Sequence, residues 1–160
     1  MGADLDFYVE SLDADGTWVA RRRGGTARDD DFDWHVERDG ILFAQLCDYC
    51  NGVWTTEPIV PLKGPEGRMP DGASFLIRGM CAFYRYEMNS ASNISYATLA
   101  ELLAYDTSRT ATLGTGETKT YHDFCHEFWG GVINEMRMLG DPDEVRAIYW
   151  LFWQPWRLKL

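Results

Sequence analysis

The stretch that most constrains this chain lies near its end. Within residues 144–154, Val145-Arg146-Ala147-Ile148-Tyr149-Trp150-Leu151-Phe152-Trp153 is rich in β-branched and aromatic residues. Apolar side chains occupy both parities of its two-residue repeat, the pattern of a strand covered on both faces. Such a strand is central, so the rest of the chain must supply a cover on each side. Its expected neighbour is 4–10, where Leu5, Phe7 and Val9 alternate with Asp4, Asp6, Tyr8 and Glu10. Asp13-Ala14-Asp15-Gly16 then reads as a turn, with 17–22 as the return strand of a hairpin.

The cover comes from segments with helical spacing. Asp39 can cap a helix over 40–50 that carries Ile41, Leu42, Gln45, Leu46 and Tyr49 on one side. A second helix is expected over 73–87, with Asp71 as its cap and Gly79 inside it. Thr98-Leu99-Ala100-Glu101 is a capping box opening a third. The longest is expected over 121–139, where Tyr121, Phe124, Cys125, Phe128, Val132, Met136 and Leu139 share a face and Gly130-Gly131 interrupts. Between them, 54–69 is a proline- and glycine-rich loop with a short extended piece at 58–62. The threonine-rich 107–120 is a small hairpin or a loop. The expectation is one α+β domain over 1–160: a mainly antiparallel sheet, its N- and C-terminal strands adjacent, with three to four covering helices.

At 160 residues, one such domain buries roughly two thirds of its unfolded surface. No apolar run approaches the ~20 residues of a membrane span, and Met1-Gly2-Ala3-Asp4 lacks the basic and apolar regions of a secretory signal, so a cytoplasmic protein is expected. Four cysteines do not make a disulfide scaffold at this size. The formal net charge of −10 opposes direct contact with nucleic acid or anionic membranes. It favours a protein partner with a basic surface.

Three groups of residues could carry function. The first lies in the aperiodic segment after Arg21-Arg22-Arg23, where Asp29, Asp30, Asp31 and Asp33 alternate with Phe32 and Trp34. These six form either a solvated loop or an acidic patch with aromatic anchors for a partner. The second is His122-Asp123-Phe124-Cys125-His126, two histidines at i and i+4 that on a helix could share a metal such as zinc, with Asp123 where the metalloprotease motif has glutamate. The third is Cys47-Asp48-Tyr49-Cys50, which could complete a Cys2His2 zinc set with those histidines or be two small buried or boundary residues. No G-x-S-x-G, no phosphate-cradling loop and no dinucleotide fingerprint is present.

The chain also resembles a set of small uncharacterised proteins encoded by bacteriophages and prophages. The likeness rests on the opening Met1-Gly2, Asp4, Tyr8, Glu10, Asp15-Gly16 and Trp18. It continues through Arg38, Leu42-Phe43, the element Pro70-Asp71-Gly72-Ala73-Ser74, Thr98-Leu99 with Glu101-Leu102-Leu103, and Val145-Arg146. Family members often carry a histidine before the Leu-x-Glu-Leu-Leu helix, where this chain has Ser92-Asn93-Ile94-Ser95. The resemblance implies a phage accessory protein and brings no activity with it. Two functions are therefore expected in order. The first is a phage-encoded acidic inhibitor of a host factor, of anti-CRISPR kind, occupying a basic nucleic-acid-binding surface without a cofactor. The second is a metal-dependent hydrolase or nucleotide binder centred on His122 and His126.

Overall fold

The computed structural model describes residues 3–24, 32–64, 66–87 and 91–153. Strand β1 (Ala3–Leu12) pairs antiparallel with β2 (Trp18–Arg21) on one side and with the last strand, β6 (Val145–Trp153), on the other. β3 (Ala91–Thr98) completes a four-stranded sheet of order β2-β1-β6-β3. The adjacent terminal strands and the antiparallel α+β arrangement are as the sequence implied.

The two-sided pattern of β6 has a direct counterpart in packing. Leu5, Phe7 and Val9 of β1 lie opposite Leu151, Tyr149 and Ala147, and all six belong to the larger buried cluster on one face. The rings of Phe7 and Tyr149 stack at 5.7 Å. This face is covered by α1 (Gly40–Cys47), α3 (Leu99–Ala104) and the helical turns of 121–139. On the other face Tyr8, Ile148 and Trp150 meet Ile77 and Cys81 of α2 (Phe75–Ala82).

Glu10, fully buried on that second face, sits directly across from Arg146. Arg146 Nε donates to Glu10 Oε2 at 2.8 Å, and Ser74 N donates to Glu10 Oε1 at 2.7 Å. Ser74 in turn caps α2 by accepting from Ile77 N. The helix therefore starts at Phe75 rather than at 73. Its cap is Ser74 rather than Asp71, because the buried Glu10 fixes the Ser74 amide. Past Ala82 the chain widens into a π-helical turn, Phe83–Glu87.

Other boundaries follow local chemistry. Asp39 accepts from Ile41 N at 2.7 Å as the cap of α1, which ends at Cys47 because Asp48 takes a left-handed conformation (φ 55°). The Thr98–Glu101 capping box opens α3 as read. The threonine-rich stretch is a hairpin, β4 (Thr110–Thr112) with β5 (Thr118–Thr120). No strand forms at 58–62.

The expected long helix is not continuous. It consists of α4 (Tyr121–Phe124), a break at Cys125 (φ −130°, ψ 48°), a π-helical turn Phe128–Val132 and α5 (Ile133–Arg137). The neighbours Phe128 and Trp129 are both buried, at 1% and 7% exposure. Their rings meet edge to face at 4.9 Å within the π-turn. No helix among the described residues is long and apolar enough to cross a membrane.

Candidate functional site

The site begins with a length mismatch. β1 has ten residues and β2 four, and their pairing covers only Val9 to Leu12 of β1. The edge of β1 at Phe7 would otherwise show bare backbone groups. The segment after the arginine run fills it: Trp34 N donates to Phe7 O at 2.8 Å, and Phe7 N donates to Asp33 Oδ1 at 3.3 Å. His35 N also donates to Asp33 Oδ1, at 2.9 Å, turning the chain with His35 in the left-handed region. Trp34 is consequently a core residue, 1% exposed, whose indole N–H donates to Arg21 O. Phe32 is partly buried on the α2 face beneath the Arg22 guanidinium, 4.6 Å from its ring centre.

Of the six residues read as a partner patch, then, Trp34 serves the core rather than standing out as an anchor. Phe32 is partly packed, and Asp33 is a structural acceptor. Asp29, Asp30 and Asp31 lie outside the described residues.

What the segment does instead is gather carboxyl groups. Asp6 hydrogen-bonds Asp33, and Trp150 Nε1 donates to Asp6 Oδ2 at 2.9 Å. Burial, reinforced by the Asp33 charge, raises Asp6 to about 8, so Asp6 holds a proton at neutral pH and donates it to the Asp33 carboxylate. Further along, Arg38 pairs with Asp4 at 3.6 Å. Glu37 hydrogen-bonds Glu127, which raises Glu37 to about 7, with burial and the Glu127 and Asp39 charges adding and His126 opposing. Residues 33–39 thus form a spine that collects acids from β1 and from the turn after α4. On it Asp6 meets Asp33 and Glu37 meets Glu127, and in each pair the second carboxyl raises the first one's hold on its proton.

The histidines do not form the expected stack. The break at Cys125 takes the chain out of α-helical geometry between them. His122 lies beside Gly130 and 3.6 Å from Asp123, whereas His126 faces Glu37. Cys47 is buried, its Sγ donating to Phe43 O, and burial pushes its thiol up to about 12; Cys50 is exposed. Among the described residues no group of three or more His, Cys, Asp or Glu is arranged to hold a metal ion.

Glu37 and Glu127 were not legible as a site in the sequence. They are ninety positions apart and come together only because 33–39 lines the edge of β1. Comparison with family models, with curated proteins and with solved structures finds no match.

Proposed function

We propose that this protein is a non-enzymatic binding protein whose carboxyl spine at 33–39 engages a basic surface of another protein. The observation that supports it is the Glu37–Glu127 pair. Two acids placed close enough to share a proton hold Glu37 near 7. Like charges at that range repel, and an arginine or lysine from outside would replace the proton with a full counter-charge. The net charge of −10 would steer such a partner in over a longer range.

Joined with the phage resemblance, this makes the protein an inhibitor of a host factor that grips nucleic acid in a basic groove, a CRISPR surveillance complex being a target of that kind. The acidic side chains would stand where phosphates otherwise lie.

Affinity capture from bacterial lysate at about 50 and about 500 mM salt tests this reading. The expected capture is a basic protein that is released by the higher salt and displaced by added nucleic acid. It is also lost when Glu37 and Glu127 become Gln, or when Asp29, Asp30, Asp31 and Asp33 become Asn. A partner held equally at both salt levels contradicts it.

A further inference from the structure

A groove runs along the opposite region, between loop 56–63 and the elements α3 and β4. It consists of two adjoining hollows of about 470 Å³ and about 380 Å³ that share Val60 and Arg109. Its strap is held firmly. Tyr105 Oη donates to Val60 O at 2.6 Å, and Val60 N donates to Tyr121 Oη at 3.0 Å.

The larger hollow has a backbone cause. Tyr121 N donates to Arg109 O and Leu113 N to Glu117 O, so the odd-numbered residues of this strand face β5. The even-numbered ones face the other way: Thr56 N donates to Thr112 O at 2.9 Å and Gly114 N to Trp54 O at 3.2 Å. The chain then bends at Thr56 and Glu57, where Thr55 Oγ1 donates to Glu57 O at 2.6 Å, so this pairing is confined to the one bridge between Thr55 and Leu113. Pro58 follows, with no N–H to resume it. The same alternation turns the N–H and C=O of Thr110 away from β5, toward the hollow lined by Thr56, Glu57 and Pro58. One residue away, the Arg109 guanidinium is half exposed and only loosely paired with Asp106, at 3.7 Å. Past it, Pro61, Leu62 and Ala104 line the smaller hollow. Glu57, Glu101 and Asp106 line the same groove, so among the described lining residues only Arg109 and Lys63 welcome a carboxylate.

We propose that this groove binds the C-terminal end of an extended peptide: a backbone amide pairs with Thr110, the terminal carboxylate meets Arg109, and an apolar last side chain enters the hollow beside Leu62. Main-chain pairing at an open strand edge supplies affinity, and the flanking charge and hollow supply selectivity. The site is independent of the carboxyl spine.

The probe is acetyl-Thr-Ala-Leu with a free carboxylate, titrated into ¹⁵N-labelled protein and compared with its C-terminal amide. Saturable shifts are expected at the amides of Thr56, Thr110 and Ala111 and at Arg109 Nε, with the amide form at least roughly tenfold weaker. Thr110→Pro removes the outward donor, which the β4–β5 pairing does not use, and Thr110→Ala, which keeps the donor, controls for the lost side chain. Thr110→Pro should weaken binding at least roughly fivefold, as should Arg109→Gln at an exposed position where folding is not at issue. No saturable shift up to about 10 mM, equal binding of acid and amide, or wild-type affinity in Arg109→Gln would overturn the proposal.

Discussion

Asp6 shows how one residue can be read two ways. In sequence it is the polar member of an alternating strand, and alternation sends it to solvent. In the fold its face of β1 is covered by α2, so it is enclosed with Trp150 and needs a proton to share with Asp33. Its folded value of about 8 lies above that of an unfolded aspartic acid, so the folded state holds the extra proton. The resulting stability is complete below about pH 4 and is lost as pH rises toward 8. Thermal melts of the wild type should therefore fall between about pH 5 and 9. Asp6→Asn, whose amide donates to Asp33 at every pH, should flatten that slope and melt higher than wild type at about pH 9. An unchanged slope would mean that the two carboxyls do not share a proton.

At the scale of elements, β1, β2 and β6 were legible and the helices only partly so. β1 and β6 declare themselves because a two-residue repeat survives any tertiary context that keeps a sheet, and Thr98–Glu101 because a capping box is local. The 121–139 helix was misread where it leaves regular geometry: the chain breaks at Cys125 and widens into a π-turn over Phe128–Val132, and neither departure carries a local sequence signal. The start of α2 was misread because its cap is set by Glu10, sixty-four residues earlier in the chain. That glutamate ties β1 to β6 through the Arg146 guanidinium, which also stacks 3.8 Å over Trp18, and ties β1 to α2 through the Ser74 amide. Glu10→Ala would strand a buried guanidinium and release the Ser74 amide. Urea denaturation should show a loss of about 3–5 kcal/mol, and a loss under about 1 kcal/mol would remove this pair from the account of the fold.

For the molecule as a whole, charge and topology point the same way. A short β2 leaves the edge of β1 to be lined by 33–39, and that lining draws Asp4, Asp6, Asp33, Glu37, Asp39 and Glu127 into one region. The sequence disclosed the excess of acid but placed its focus at 29–34. Asp29, Asp30 and Asp31 lie outside the described residues; among those described, the carboxyls of 33–39 meet acids from β1 and from the turn after α4, because pairing across the fold, not local density, decides which carboxyls meet. Under the proposed function, the Glu37–Glu127 pair is the point that would receive a cation. The most direct measurement is the affinity of a fluorescent hexa-arginine peptide at about pH 8 and about 50 mM salt. It compares Glu37→Gln with Glu127→Gln in one variant against a charge-matched variant carrying Asp15→Asn and Asp143→Asn. The account predicts at least a roughly fivefold loss in the first, less than about twofold in the second, and loss of binding for both and for wild type at about 500 mM salt. Equal losses in the two variants would contradict it.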